Sequence, residues 1–316
     1  MALTFSRQGQ ANLAGDAKAL FQTVFKGEIL TAFEKNLVTN GRFREETIPY
    51  GKAASFPILS NTQAKYHTVG DTITGTPIAG NQIVITIDQL LYADVSVHDF
   101  DEAMNNYNFR MKYAAELGKA LARTKDQHIL QMAVLASRAS APVTGDNGGS
   151  KVTNANMLTD TTGEALVESL FAAAQALDEK DIPADGRTAF ITPASYYKLA
   201  QNTKIMNKDW GGAGVYSDGK VLRVAGIEIV KTNNSNFGQN ITTGVAAGDA
   251  DAKYAGNFTN TVGVVAHRDA VGTVTLRGLI TESQRKLEQF GDLLTARFII
   301  GHGILRPACA VELATA

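Results

Sequence analysis

The 316-residue chain carries 30 Lys and Arg against 31 Asp and Glu, a formal net charge of -1, with 44% apolar and 19% charged residues. Such a balance excludes the strong positive field that draws dedicated nucleic-acid binders to phosphate, and the length suffices for one large or two ordinary domains. The single cysteine, Cys309, excludes an internal disulfide or cysteine-rich zinc site and reads as a small buried apolar residue, while the absence of a membrane-length apolar window or signal pattern leads to the expectation of a soluble protein made in the cytoplasm.

In chain order, Leu20, Phe21, Val24, Phe25, Ile29, Phe33 and Leu37 predict an amphipathic helix over 16–37 whose apolar stripe must dock on another surface. Residues 40–97, rich in Gly, Thr and β-branched residues and containing Pro49, Pro57 and Pro77, predict extended strands and turns. Ile83, Ile85 and Ile87 alternate onto one side. So thin an arm is marginal on its own, because a two-stranded hairpin has little core, and it is expected to lie on another surface. From 99 to 140 the apolar positions step by threes, fours and one seven, with Asp99 and Glu102 at capping-box spacing and Pro142 and Gly145 as stops. An unbroken helix over that range is a rod of about 60 Å.

The second half alternates. Residues 163–181 predict a helix, 188–193 a short strand, ASYYKLAQN a helix, and 221–232 a strand pair. Residues 261–286 read as strands and turns, and 293–313 as strands broken by Gly301 and Gly303. The pattern is α+β.

Several short stretches resemble catalytic motifs and fail on spacing. GVYSDGKV (214–221) has Val221 where a phosphate-binding loop needs Ser or Thr, and no helix is predicted after it. HRD (267–269) has Val274 where the kinase pattern needs Asn; Arg268 is expected to pair with a carboxylate. HDFDE (98–102) gathers acids already explained by helix capping, and the other histidines are scattered, so no metal site is expected. GHGILRP (301–307) sets His302 between two glycines, which are expected to serve a bulge or a close backbone approach, with His302 structural and Pro307 limiting the strand. No convergent acid–base set emerges, and neither an enzyme nor a cofactor is expected.

The blocks FQTVFKGEILTAFEKN (21–36), GKAASFPILSNTQAKY (51–66), VITIDQLLYADVSVHDFDEAMNNYNFR (84–110), AHRDAVGTVTLRGL (266–279) and ARFIIGHGILRPACA (296–310) resemble, in order, the major capsid proteins of short-tailed, T-seven-type phages. The resemblance implies the Hong Kong 97-type capsid fold. It places an N-arm at 1–49, an extended β E-loop at 50–95, a peripheral domain at 96–184 including a spine helix at 99–140, an axial domain at 185–265, and a return to the peripheral domain at 266–316. It further implies self-assembly through hexamers and pentamers into an icosahedral shell around phage double-stranded DNA, which the wall contacts weakly and without sequence preference. A scaffolding protein and a portal are the implied partners, assembly takes place in the host cytoplasm, the mature location is the virion, and no membrane is involved. An encapsulin-like nanocompartment shell is the alternative.

Candidate inter-subunit contact residues are Phe21, Phe25, Phe33, Lys52, Phe56, Ile58, Tyr66, Arg268 and Arg306; Phe56 and Ile58 are chosen because apolar residues on a thin arm have no local core to join. The phage that names the fold joins its subunits covalently through a lysine, but no pattern singles out a partner for Lys52 or Lys65, and a non-covalent shell is expected.

Overall fold

A computed structural model describes residues 29, 32–33, 37–60, 62, 64–70, 72–73, 75, 77–98, 109–202, 223–242 and 252–316. The first half contains β1 (Arg44–Thr47), β2 (Ala53–Leu59), β3 (Gly80–Thr86), β4 (Leu91–His98) and the long helix α1 (Phe109–Arg138). Next come β5 (Ser150–Thr153), α2 (Glu164–Asp178), β6 (Arg187–Ile191), α3 (Pro193–Gln201), β7 (Arg223–Val224) and β8 (Ile227–Lys231). The chain closes with β9 (Asn240–Ile241), β10 (Gly256–Asn257), β11 (Thr261–His267), β12 (Val271–Lys286), β13 (Gly291–Ile304) and β14 (Ala310–Ala314). The α+β class read from the sequence holds.

Two compact units divide the chain, one made of 1–37, 89–125 and 277–299, the other of 38–88, 126–276 and 300–316. In the first, β4 runs antiparallel to β13, with Gly291 opposite His98 and Phe298 opposite Leu91. Arg297 pairs with Glu282 at 2.6 Å across β13 and β12. Ile29, Ala32 and Phe33 are helical, and they approach α1 where Gly118 has no side chain: a Cβ there would lie 2.8 Å from the Ile29 carbonyl oxygen and 2.9 Å from Ala32 Cβ. Phe33 meets Phe298 at 5.9 Å between ring centres. The rest of the predicted 16–37 helix, apart from Leu37, lies outside the described residues.

The second unit is built on a six-stranded mixed sheet in the order β5-β14-β11-β6-β8-β7. Its middle strands TVGVVAH, RTAFI and AVELA are buried at every position, which explains why they read as continuous apolar runs rather than alternating ones. Leu166, Leu170 and Leu177 of α2, spaced at four and seven residues, are fully buried in the same cluster as Phe190 of β6. Phe43 stacks on Phe190 at 5.7 Å.

The helix ends follow local chemistry. Thr192 caps α3 by accepting from the Ser195 N–H, with Pro193 in the first turn. Before α2, the Asp160 carboxylate accepts from the Ala165 N–H and from the hydroxyl and backbone N–H of Thr162, which lower its pKa to about 2. β7 and β8 join through Ala225 and Gly226, both left-handed (φ 52° and 77°), the geometry of a tight hairpin turn.

Three expectations need correction. The long helix ends at Arg138, two residues early, because the Ala139 N–H bonds back three residues to Ala136 and the Ala139 carbonyl accepts from Gly149, so the chain has already turned; positions 99–108, including the capping pair, lie outside the described residues. The 163–181 helix stops at Asp178, and Asp181 is left-handed. The closing strand is not broken at its glycines, since β13 runs through both.

Candidate assembly surfaces

The hairpin β2–β3 pairs Ala53 with Thr86 through Leu59 with Gly80. Alternation puts Ala54, Phe56 and Ile58 on the more covered face and leaves Ala53, Ser55, Pro57 and Leu59 in solvent. At its root, Ala54, Phe56, Ile83 and Ile87 pack on a small cluster of Ile85, Val274 and Leu305. Arg44 lies 5.8 Å above the Phe56 ring. Phe56 therefore does have a local core, contrary to the reason for which it was chosen. A strand next in sequence to Pro57 carries no local sign that residues near 274 and 305 will meet it.

Gly301 and Gly303 belong to this root. A Cβ on Gly301 would overlap the Thr86 carbonyl oxygen, and one on Gly303 would lie 2.7 Å from Ile85 Cγ1. The expected close backbone approach is what the structure shows, within a continuous strand. His302 between them is fully buried; its Nδ1 lies 2.9 Å from the Thr273 hydroxyl and its backbone N–H donates to the Tyr254 hydroxyl at 3.3 Å. Tyr254 in turn donates to the Asp88 carboxylate and stacks on His128 at 4.0 Å. Lys253 holds Asp88 at 3.0 Å and donates to the Thr86 carbonyl. His302 is thus a structural side chain in a bolt that fastens the end of β3.

The opposite end of the hairpin is held by side-chain bonds to the 142–144 turn. Ser60 donates to the Thr144 carbonyl at 2.8 Å, and Asn81 donates to the Pro142 carbonyl at 2.7 Å. Between them, Tyr66 is 107% exposed, Val69 99% and Ile73 80%. Burying one such side chain fully is favourable by roughly 1.5–3 kcal/mol, so this row is a strong candidate for covering by another molecule. Of the other candidate contact residues, Lys52 is exposed and Ile58 half-buried. Phe33 is half-buried within the first unit, while Phe21 and Phe25 lie outside the described residues.

Arg268 and Arg306 are both exposed, and neither has an ion pair among the described residues. Among the described residues no carboxylate pairs with Arg268: Asp269 instead faces His267 Nδ1 at 3.7 Å, and the Ala270 N–H bonds the His267 carbonyl, which makes HRD a turn between β11 and β12. The 214–221 stretch and residues 99–102 of HDFDE lie outside the described residues. Among the described residues no cluster of His, Cys, Asp and Glu could hold a metal ion, and no helix is long and apolar enough to cross a membrane. Cys309 is buried, and desolvation pushes its thiol pKa up to about 11, so it stays neutral and unreactive.

Residues 55–314 match the Gp10A-like major capsid protein family. The chain is 34% identical to the major capsid protein of Escherichia phage T7 over 94% of its own length and 92% of that protein. A capsid structure of the cyanophage P-SCSP1u superposes with a TM-score of 0.79 at 37% identity, covering 100% of this chain and 99% of that one. The mature capsid subunit of bacteriophage PhiM1 shares the fold, with a TM-score of 0.72 at 20% identity over 88% of this chain and 87% of the other.

Proposed function

The chain belongs to the Gp10A-like major capsid protein family, and from that premise we propose that the 60–79 loop of the β2–β3 hairpin is the arm that clasps a neighbouring subunit. As a phage major capsid protein with the Hong Kong 97-type fold it is a virion component, one subunit of a multi-subunit shell. The observation that carries the proposal is the fully exposed Tyr66 and Val69 on a segment tied at both ends. A soluble monomer has no use for such a row, whereas a shell gains a modest contact per subunit that multivalency multiplies.

Within this reading, 1–49 forms the N-arm, 50–95 the E-loop, 96–184 the peripheral domain, 185–265 the axial domain, and 266–316 the return to the peripheral domain. Lys52, Phe56, Ile58 and Tyr66 then line one contact, Phe21, Phe25 and Phe33 a second, and Arg268 and Arg306 a third. Assembly runs through hexamers and pentamers with a scaffolding protein and a portal, and the near-neutral charge suits a wall that holds packaged double-stranded DNA only weakly. The role is structural and not catalytic. An encapsulin-like compartment is not favoured, because the relatives matched over nearly the whole chain are phage capsid proteins.

The test replaces residues 61–78 by an Asn-Gly turn, which closes the hairpin without the exposed row. The variant is expected to keep its cooperative unfolding transition and to give no closed particles by negative-stain microscopy. Wild-type particles from it would remove the loop from the assembly contact.

A further inference from the structure

The outward face of α2 carries an open groove of about 890 Å3. Val167, Phe171, Ala172 and Ala225 supply its apolar floor, and Glu164, Glu168, Asp178 and Glu179 its charge, with no lysine or arginine among the described lining residues. Phe171 is 57% exposed, although its neighbours Leu170 and Ala173 are completely buried. Asp178 is engaged by Arg187 at 2.7 Å, and Glu179 accepts from Gln175 at 2.8 Å, so the groove remains negative. An aromatic ring set among carboxylates is an unfinished surface: its area gains by burial, but only against a partner that brings positive charge.

The same chain carries that charge elsewhere. Arg268 follows β11 and Arg306 follows β13, and the Leu305 N–H bonds the Ala270 carbonyl at 3.0 Å, which holds the two turns side by side. Both arginines are exposed without a carboxylate among the described residues. A head-to-tail contact between identical chains needs two different and complementary patches on one subunit, and arginine is the residue best shaped to meet carboxylates and stack on an aromatic face.

We propose that the α2 groove is a contact between copies of this chain, in which Phe171 and its surrounding glutamates receive the Arg268–Arg306 face of a neighbour. The proposal rests on the shell-subunit reading and goes further by naming both halves of one contact. Because it concerns a surface separate from the 60–79 loop, the two can fail independently.

Two measurements on particles recovered from cells expressing the chain test it. Phe171→Cys places one accessible thiol on a chain whose native cysteine is buried. Maleimide labelling is expected to be rapid in dissociated subunits and at least about tenfold slower in particles, as for a residue at the dry centre of an interface. Equal labelling in intact particles overturns the proposal while leaving the shell reading intact. Protection found only in complete virions, and not in particles of this chain alone, overturns it in favour of a different protein in the groove. Absence of particles from the unaltered chain, expressed both alone and with a scaffolding protein, sinks both readings.

The second measurement reverses charge. Glu168→Arg with Glu179→Arg, and separately Arg268→Glu with Arg306→Glu, are each expected to lower particle yield by about tenfold or more at low salt, and the four changes together to restore much of it. Wild-type yield from both reversed pairs overturns the pairing. So does a combined variant with a native melting curve that assembles no better than either parent.

Discussion

The six-stranded sheet and the β2–β3 hairpin are both made of β-branched and aromatic segments, yet they bury their side chains in opposite ways. Every residue of β11, β6 and β14 is buried within the chain, whereas in β2 no residue is fully buried and the loop beyond it leaves Tyr66 and Val69 bare. The sheet completes itself, and the hairpin is complete only at its root. Stability and assembly are therefore separable in this molecule, and mutations should sort into two groups according to which region they touch.

The largest effect is expected on the sheet side. Glu312 is fully buried on β14, held by Arg138 at 2.6 Å and by the Thr261 hydroxyl at 2.5 Å, and the carboxylate raises the arginine pKa in return. Arg138→Ala leaves that carboxylate without its counter-charge and is expected to lower stability by about 3–5 kcal/mol, seen as a large fall in melting temperature and loss of soluble chain. An unchanged melting temperature would show that the sheet does not depend on the pair.

At the hairpin root, Phe56→Ala removes a half-buried ring from the cluster of Ile85, Val274 and Leu305. The expected cost is about 1–3 kcal/mol, below that of a full core aromatic, with a reduction in assembly that follows the loss of stability. At the tip, Tyr66→Ala should shift stability by less than about 0.5 kcal/mol, as for a solvent-exposed site, while particle yield falls. If Tyr66→Ala instead lowered melting as Phe56→Ala does, root and tip would no longer be distinct.

The smallest effect concerns acid. The Asp160 pKa is lowered from 3.8 to about 2 by its backbone and hydroxyl donors ahead of α2. A depressed carboxylate contributes stability that is present above its unfolded value and disappears as pH falls from about 4 toward 2, because the unfolded chain takes up the proton first. Asp160→Asn should flatten that part of the pH–stability curve and leave neutral-pH assembly unchanged, as read by melting at stepped pH.

The contrast between the regions also explains what could be read in advance. Continuous apolar runs such as TAFI and VGVVA identify buried strands without knowledge of their partners, and Thr192 with Pro193 marks a helix start locally. The β7–β8 turn and the structural role of His302 were likewise legible. The environment of Phe56 was not, because Val274 and Leu305 of the cluster it packs on lie more than two hundred positions away, as does the partner in the parallel pairing of Arg44 with Gly272. Nor was the Phe171 groove: an apolar residue in the pattern of α2 looks like core until the helix is rotated into place. Gly301 and Gly303 stood between these cases, since close approach could be inferred while Thr86 and Ile85, the groups that require it, could not.

Those two glycines have a consequence for heredity. The root is fastened where the bare backbone at 301 meets the Thr86 carbonyl and the bare backbone at 303 meets the Ile85 side chain, so almost any substitution at 301 or 303 collides with Thr86 or Ile85. Tyr66 and Val69, almost wholly exposed on the loop, meet no such restriction. Lineages of this protein can then alter the grip of one particle on itself, residue by residue, while the joint on which that grip turns is passed on unchanged.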